Sequence, residues 1–181
     1  MSVLSLIAFV TGVAGVWLTI RKNIWCWPVA LVSVLSSALE FQQQRLFGDM
    51  SLQVVYFAAG IYGWIVWSRK STETTEVRAT PKTAWPKLIA VTLLQMPLYY
   101  LLLKHFKGDR TILDAALTAC SLSATYMMTM KWKENWIAWT GIDLAYVVLY
   151  LSKSMWLFAL LYLFFALMAA YGWTQWNRRT Y

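Results

Sequence analysis

Apolar residues fill seven stretches of the chain, and short polar breaks separate them. Each stretch approaches the ~20 residues that an α-helix needs to cross a bilayer. The pattern therefore predicts an all-α integral membrane protein with seven transmembrane helices. The predicted spans are residues 3–20, 24–42, 51–68, 88–104, 111–130, 135–152 and 155–173.

The overall composition supports this prediction. Hydrophobic residues make up 60% of the 181 residues and charged residues only 13%, whereas about a quarter of the residues in a soluble domain are charged. The formal net charge of +8 would also suit a nucleic-acid-binding protein. Membrane proteins, however, collect basic residues in their cytoplasmic loops, and this explanation agrees with the apolar composition.

The basic residues also predict an orientation. Most of the 16 lysines and arginines fall on one side of the predicted bundle, after the first, third, fifth and seventh spans. By the positive-inside rule this side faces the cytoplasm. We therefore expect the amino terminus outside and the carboxyl terminus in the cytoplasm.

The two halves of the chain share sequence signatures. Tyr-Gly-Trp-x-x-Trp begins at Tyr62 and again at Tyr171, and we call the distance in sequence between these two tyrosines the repeat spacing. Asn-x-x-x-Trp begins at Asn23 and again at Asn135, at nearly the same spacing. Aromatic belts at the membrane interface explain single tryptophans, but they do not explain a shared signature of this length. The matches therefore predict two repeats of three helices each.

A repeat of three helices would be inverted if its second copy followed directly, and the fourth span restores its orientation. We therefore expect two parallel repeats related by an axis along the membrane normal, with a substrate site between them. The expected organisation is a first repeat over 1–68, a polar cytoplasmic linker over 69–87, a connecting helix over 88–104 and a second repeat over 109–177.

One carboxylate falls well inside a predicted span. Asp143 shares a helix face with Trp136 and Trp139, because the three residues are spaced i, i+3 and i+7. An ionisable group at membrane depth suggests a site, and the two indoles could sandwich a flat or cationic ring. The alternative is a buried carboxylate satisfied by a hydroxyl group, with both tryptophans packed as ordinary helix contacts.

A second polar face lies on the third span, where Gln53 and Tyr56 are one turn apart. A glutamine amide offers both a donor and an acceptor, which suits the polar edge of a heteroaromatic ring. The alternative is a hydrogen bond between helices. At the repeat spacing, Gln53 and Tyr56 correspond to Tyr162 and Phe165, so the two halves differ at this face.

Three more residues are either substrate-binding or structural: Asn135, Tyr146 and Asp114. Asp114 lies in the first turn of the fifth span, where the helix dipole favours an acid without any ligand. Nucleotide-binding and hydrolase motifs such as GxxxxGK[ST], GxSxG and HExxH are absent from the sequence. We therefore expect that the protein is not an enzyme and binds neither a metal nor a cofactor. Passive transport is the simplest mechanism.

These residues resemble those of the PnuC-type vitamin transporters, whose best-known members carry nicotinamide riboside. The resemblance implies a SWEET-like 3+1+3 helix fold in the bacterial inner membrane and a homotrimer. It also implies facilitated diffusion of a dephosphorylated B-vitamin, which a cytoplasmic kinase then phosphorylates and traps. The matching stretches are Leu52-Gln53 with Ile61 to Trp67, Asp114 with Ser121-Leu122, and Lys133 to Trp139.

Two positions depart from the pattern of nicotinamide riboside carriers. Asp143 stands where those carriers have asparagine, and Gly60 stands where they tend to have asparagine. A carboxylate could accept a hydrogen bond from an aminopyrimidine or oppose a thiazolium charge, so the departure slightly favours thiamine. Nicotinamide riboside is also cationic and is the alternative. A second alternative is a proton-coupled carrier in which Asp143 or Asp114 titrates.

Overall fold

The computed structural model describes residues 2–43, 47–69, 76–105, 112–152, 154 and 156–178. Within this part the chain forms seven α-helices, as the apolar stretches predict. Residues 70–75 of the predicted linker and 109–111 of the second predicted repeat lie outside the described residues. The helices are α1 (Val3–Ile20), α2 (Cys26–Gln43), α3 (Phe47–Ser68), α4 (Ala84–His105), α5 (Ile112–Thr129), α6 (Asn135–Ser152) and α7 (Trp156–Asn177).

Three helices are longer than predicted. α3 begins at Phe47, α4 begins at Ala84, and α7 continues to Asn177. The prediction stopped at polar residues and prolines. Pro86, however, lies in the first turn of α4, where the helix has no use for the N–H that proline lacks. The linker therefore ends before residue 84 rather than at 87.

The residues after α1 and α5 end these helices in the same way. Lys22 and Lys131 have φ angles of 59° and 52°. Their N–H groups donate to the carbonyls of Thr19 and Met128 at 2.9 and 3.0 Å. Glycine usually takes this left-handed position at a helix end, because a side chain costs about 1 kcal/mol there. The same unusual turn thus recurs at the repeat spacing.

The helices pack in a closed ring. α1 packs on α2, α2 on α3, α3 on α5, α5 on α6, α6 on α7, and α7 on α1. α4 lies outside this ring against α5, and its Tyr99 packs with Leu52 of α3 and Ala115 of α5.

Apolar side chains cover the outside of the bundle. Leu94 and Val148 are 76% and 68% exposed, as expected for residues that face lipid. In the described part, α1, Met50–Ser68 of α3 and Phe158–Asn177 of α7 are long and apolar enough to cross a membrane. α5 and α6 are less apolar because they bury polar side chains within the bundle, which avoids exposing them to lipid. These buried residues are Asp114, Thr118, Ser121, Thr125, Thr129, Asn135 and Asp143.

Part of the predicted polar linker packs against the bundle. Arg78 pairs with the turn between α5 and α6: its N–H donates to the carbonyl of Lys131, and its carbonyl accepts from the N–H of Lys133. Thr80 is buried, and its N–H and hydroxyl donate to Glu134 Oε2 at 2.7 and 2.8 Å. The linker therefore docks on the turn through backbone pairing and one shared acceptor.

A buried aromatic cluster fills the end of the ring where these turns lie. We call this the inner end, and its cluster the inner cluster. Trp27 and Trp67 meet edge to face with ring centroids 5.5 Å apart, and Trp136 and Trp176 do the same at 5.4 Å. The buried members are Ile20, Cys26, Trp27, Val66, Trp67, Trp136, Ala169 and Trp176.

The glycines of the two Tyr-Gly-Trp signatures make room for these indoles. A Cβ atom on Gly63 would lie 2.2 Å from the ring of Trp27, and one on Gly172 would lie 2.6 Å from the ring of Trp136. Trp136 is therefore the counterpart of Trp27. The two Asn-x-x-x-Trp signatures pair Trp27 with Trp139 instead, and this pairing is wrong as a structural alignment. Asn23 precedes α2, whereas Asn135 begins α6.

Candidate functional site

Asp143 lies inside the bundle on α6 and is 6% exposed. α6 begins at Asn135, so Asp143 stands roughly 12 Å along the helix axis from its inner end. α6 packs between α5 and α7. This carboxylate therefore lies near the middle of its helix and away from both helix ends.

Three tyrosines on α6 and α7 stack beside this carboxylate. Tyr146 and Tyr162 have ring centroids 4.6 Å apart, and Tyr150 and Tyr162 have centroids 5.3 Å apart. Tyr162 hydrogen-bonds Tyr150 and lies close enough to Asp143 to interact with it electrostatically. A buried carboxyl group beside flat aromatic rings can hold a planar cation.

Tyr162 was not predicted as a site residue. In the sequence it is one of ten tyrosines, and its own neighbours do not distinguish it. The signal that could have identified Tyr162 is its correspondence to Gln53 at the repeat spacing, which places both residues at the same position of their helices.

Gln53 and Tyr56 lie on the other side of the ring. The Tyr56 hydroxyl hydrogen-bonds the side chain of Ser121 on α5. Ser121 itself donates to the carbonyl of Leu117 at 2.8 Å, so it accepts from Tyr56. Gln53 is half-buried one turn before Tyr56. α3 and α7 hold opposite positions in the ring, so these residues are separated from the tyrosines by its interior.

The two predicted tryptophans have different surroundings. Trp136 is 2% exposed and packs against Trp176 and Gly172 in the inner cluster. Trp139 is half-buried and contacts both the inner cluster and a second cluster between α5 and α6. It also lies one turn from Asp143. Trp136 thus packs within the inner cluster, and Trp139 is the tryptophan closer to the carboxylate.

The remaining predicted residues lie at opposite ends of the bundle. Asn135 is fully buried at the inner end, where its Nδ2 donates to the carbonyl of Trp132 at 2.7 Å. Asp114 is 7% exposed in the first turn of α5, at the outer end. Its neighbour Ala115 packs with Leu52 and Tyr99. The structure therefore does not bring Asp114 to Asp143.

The surroundings of Asp143 are aromatic rather than metal-binding. Among the described residues, no group of three His, Cys, Asp or Glu side chains could hold a metal ion. What the arrangement offers is a buried carboxylate, stacked phenol rings and, across the ring, an amide. These groups bind a small planar molecule better than they transform one.

A family model covers almost the whole chain. Residues 2–178 match the model described as nicotinamide mononucleotide transporter. The chain belongs to this family. The match confirms the resemblance to PnuC-type vitamin transporters.

Curated relatives align with most of this chain. The nicotinamide riboside transporter PnuC of Escherichia coli (strain K12) is 24% identical in an alignment of 195 positions, which covers 92% of this chain and 82% of the relative. The PnuC of Haemophilus influenzae is 24% identical in an alignment of 184 positions, which covers 98% of this chain and 81% of the relative. The riboflavin/roseoflavin transporter RibM of Streptomyces davaonensis is 24% identical in an alignment of 177 positions, which covers 94% of this chain and 83% of the relative.

A solved structure has the same fold. The crystal structure of the vitamin B3 transporter PnuC superposes with a TM-score of 0.77 at 22% identity, over 97% of this chain and 80% of that chain. The family and these relatives are transporters, not enzymes. The PnuC-type chain described here is thus an all-helical, multi-pass membrane transporter.

Proposed function

We propose that this PnuC-type protein carries nicotinamide riboside across the cytoplasmic membrane by facilitated diffusion. The observation that carries the proposal is the buried carboxylate of Asp143 beside the stacked rings of Tyr146 and Tyr162. A carboxylate attracts the cationic pyridinium ring, and aromatic faces add about 2 kcal/mol when the contact is desolvated. Relatives named for nicotinamide riboside transport put this vitamin ahead of thiamine, which the sequence alone slightly favours.

The other side of the ring supplies the polar partners in this proposal. The Gln53 amide has a donor and an acceptor that match the carboxamide of the nicotinamide ring. Tyr56 is held by Ser121 and lines the same side. Trp139 offers a further aromatic surface one turn from Asp143. Trp136 and Asn135 then act by holding the inner end of α6 in place.

We further propose that the ring consists of two parallel three-helix repeats, α1–α3 and α5–α7, joined by α4 in a SWEET-like 3+1+3 arrangement. Two observations support it. Each contact between neighbouring helices of the ring has a counterpart in the other half. The α1–α2 contact corresponds to α5–α6, α2–α3 to α6–α7, and α3–α5 to α7–α1. The glycine–tryptophan contacts of the inner cluster also recur at the repeat spacing.

Alternating access in this proposal requires the inner end to open. The inner cluster joins residues from both proposed repeats, so it closes the path toward the inner side. Rocking of one repeat against the other would separate the cluster and expose Asp143 to that side. The outer ends of the repeats would approach each other in the same movement.

The inner end faces the cytoplasm in this proposal, and the amino terminus lies outside. Basic residues surround the inner end, as the positive-inside rule requires of a cytoplasmic surface. A homotrimer and a cytoplasmic kinase that phosphorylates and traps the vitamin complete the proposal, and both rest on the family resemblance. The described basic residues after α1, α3, α5 and α7 are Arg21, Lys22, Arg69, Arg78, Lys82, Lys87, Lys131, Lys133 and Arg178.

Thiamine is the second candidate substrate, and Asp143 favours it specifically. One carboxylate can oppose the thiazolium charge and accept a hydrogen bond from the aminopyrimidine. The same buried carboxylate also keeps a proton-coupled carrier as an alternative mechanism.

Binding by the purified protein separates the substrates. Nicotinamide riboside, thiamine and riboflavin are titrated in parallel while the quenching of tryptophan fluorescence is followed. The proposal predicts tightest binding of nicotinamide riboside, and at least tenfold weaker binding by Asp143→Ala, because a charge-assisted contact contributes about 1.5–3 kcal/mol. Tightest binding of thiamine or riboflavin would contradict the assignment of the substrate.

A further inference from the structure

A groove runs along the outer surface of the bundle between α4 and α6, with α5 as its floor. Its volume is about 430 Å³, and its walls include Ile89 and Leu93 of α4, Met127 of α5 and Ile137 of α6. An apolar cavity of about 150 Å³ already admits a benzene ring. The groove can therefore admit a considerably longer hydrocarbon.

The few polar groups in the groove are already paired. The Thr92 hydroxyl donates to the carbonyl of Leu88 at 2.7 Å and lies 2.6 Å from the hydroxyl of Ser123. Their hydroxyl protons are therefore used within the protein. A polar vitamin would lose its hydrogen bonds to water here, whereas a hydrocarbon chain has none to lose. The groove is thus chemically distinct from the surroundings of Asp143.

Gly141 in the wall of the groove faces open space. No atom of the described residues outside its own helix lies within 4 Å of an added Cβ, whereas such a Cβ on Gly60 would lie 2.8 Å from Leu31. Glycine in a membrane helix usually lets a neighbour approach closely, and it destabilises a helix by about 0.5–1 kcal/mol relative to alanine. The space beside this glycine is therefore open to a molecule other than the described chain.

A tryptophan and a basic residue lie at the inner end of the groove. Trp85 lines the groove and is 40% exposed, as expected for a tryptophan at the lipid headgroups. Lys82 is exposed in the turn just before α4, three residues before Trp85 in sequence. Lys87, in contrast, lies on the face of α4 away from Trp85. Basic residues on the cytoplasmic side attract the anionic lipids of that leaflet.

We propose that the groove binds an acyl chain of an anionic phospholipid from the inner-end leaflet, with the lipid phosphate beside Lys82. The chain lies along α5 and packs against the backbone at Gly141, and Trp85 sits at the headgroup. The acyl-chain part of this proposal needs only the membrane location of the bundle, and the anionic headgroup also rests on the proposed cytoplasmic orientation of the inner end. It stands whether or not nicotinamide riboside is the substrate.

Native mass spectrometry of the purified full chain with added phosphatidylglycerol tests the lipid. Gly141→Phe adds a ring to the wall of the groove at a position where an added Cβ meets no described atom. Leu94→Phe adds a ring on the outer face of α4 as a matched control. We expect the wild type and Leu94→Phe to retain one phospholipid per chain that Gly141→Phe loses. If Gly141→Phe does not fold, Ile89→Trp fills the groove from the opposite wall.

Two results would overturn the proposal. One is an unchanged number of bound lipids when the groove is filled. The other is a change only in the number of chains per particle, which would assign the groove to a second copy of the protein.

The headgroup is tested by titrating phosphatidylglycerol and phosphatidylcholine against thermal unfolding. Lys82→Gln should weaken the apparent binding of phosphatidylglycerol about fivefold and leave phosphatidylcholine unchanged. Lys87→Gln is the matched control and should behave as the wild type. Equal loss with both variants, or no loss with either, would overturn the placement of the phosphate beside Lys82.

Discussion

Trp67 donates its indole N–H to the backbone carbonyl of Thr129 at 2.9 Å. Trp176, its counterpart at the repeat spacing, donates in the same way to Ile20 at 3.2 Å. Thr129 is the last residue of α5 and Ile20 is the last residue of α1. Each bond therefore joins the helices α1–α3 to the helices α5–α7, once in each direction. The two bonds lie at the inner end, which must separate if the ring opens there.

Removing either indole donor should destabilise the protein by a similar amount. Trp67→Phe and Trp176→Phe each leave a carbonyl without its donor, and we expect each to cost about 1 kcal/mol. For a chain of this size that corresponds to a fall of roughly 2–4 °C in Tm, measured by thermal unfolding in detergent. Trp25→Phe is the control because Trp25 is 64% exposed. An equal loss in that variant would contradict the assignment.

Replacing a glycine by alanine should have opposite effects on stability at the inner cluster and in the groove. Gly63→Ala and Gly172→Ala place a Cβ 2.2 and 2.6 Å from an indole ring, so we expect each to destabilise by about 1–3 kcal/mol. Gly141→Ala meets no described neighbour and should stabilise by about 0.5–1 kcal/mol. Chemical unfolding measures all three. Trp136→Phe should partly rescue Gly172→Ala, and the absence of rescue would place the strain elsewhere.

Glu134 should hold the linker on the turn between α5 and α6. It accepts two hydrogen bonds from Thr80, and we expect Glu134→Ala to cost about 1–2 kcal/mol because its site is only partly buried. Hydrogen exchange over residues 76–83 should then become faster. Glu76→Ala, at an exposed position of the same linker, is the control. Unchanged exchange in Glu134→Ala would show that the backbone pairing of Arg78 is sufficient.

Lys131 should make stability depend on alkaline pH. Burial lowers the pKa of its ammonium group, and the positive charge of Lys22 lowers it further. Between this lowered pKa and the unfolded value of about 10.4, the unfolded chain binds more protons, so the free energy of unfolding rises with pH.

The variant Lys131→Met isolates this effect. Relative to the variant, the wild type should gain stability as the pH rises through the alkaline range toward about 10.4, the pKa in the unfolded chain. A constant difference in Tm between the two proteins over that range would contradict the lowered pKa. The variant also loses the contact between the ammonium nitrogen and Trp67, whose ring centroid lies 4.5 Å away, but that loss does not create the slope.

Much of the fold could be predicted from hydropathy. α1 and α6 span the predicted residues, because polar residues bound their apolar stretches closely. The starts of α3 and α4 differ from the prediction. Polar residues lie near the start of α3 and Pro86 lies in the first turn of α4, and both features are typical of a loop in sequence. The pairing of Arg78 with the next turn depends on a contact between segments far apart in sequence, which hydropathy does not record.

The sequence identifies a candidate site residue where a polar side chain falls inside an apolar span. Asp143 stood out because a carboxylate inside an apolar span is costly and needs a reason. The partners of this carboxylate were harder to predict. Tyr162 comes from another helix, and the packing of Trp136 against Gly172 depends on a contact between two helices that the sequence pattern does not record.

The most direct test of the central claim is the uptake of radiolabelled nicotinamide riboside into proteoliposomes, with and without a protonophore. The passive account predicts uptake that stops when the internal and external concentrations are equal. It also predicts no effect of the protonophore and at least a tenfold slower rate in Asp143→Ala. Glu76→Gln, in the exposed linker, should match the wild type. Accumulation that collapses with the proton gradient, or flux of thiamine without flux of nicotinamide riboside, would contradict the account.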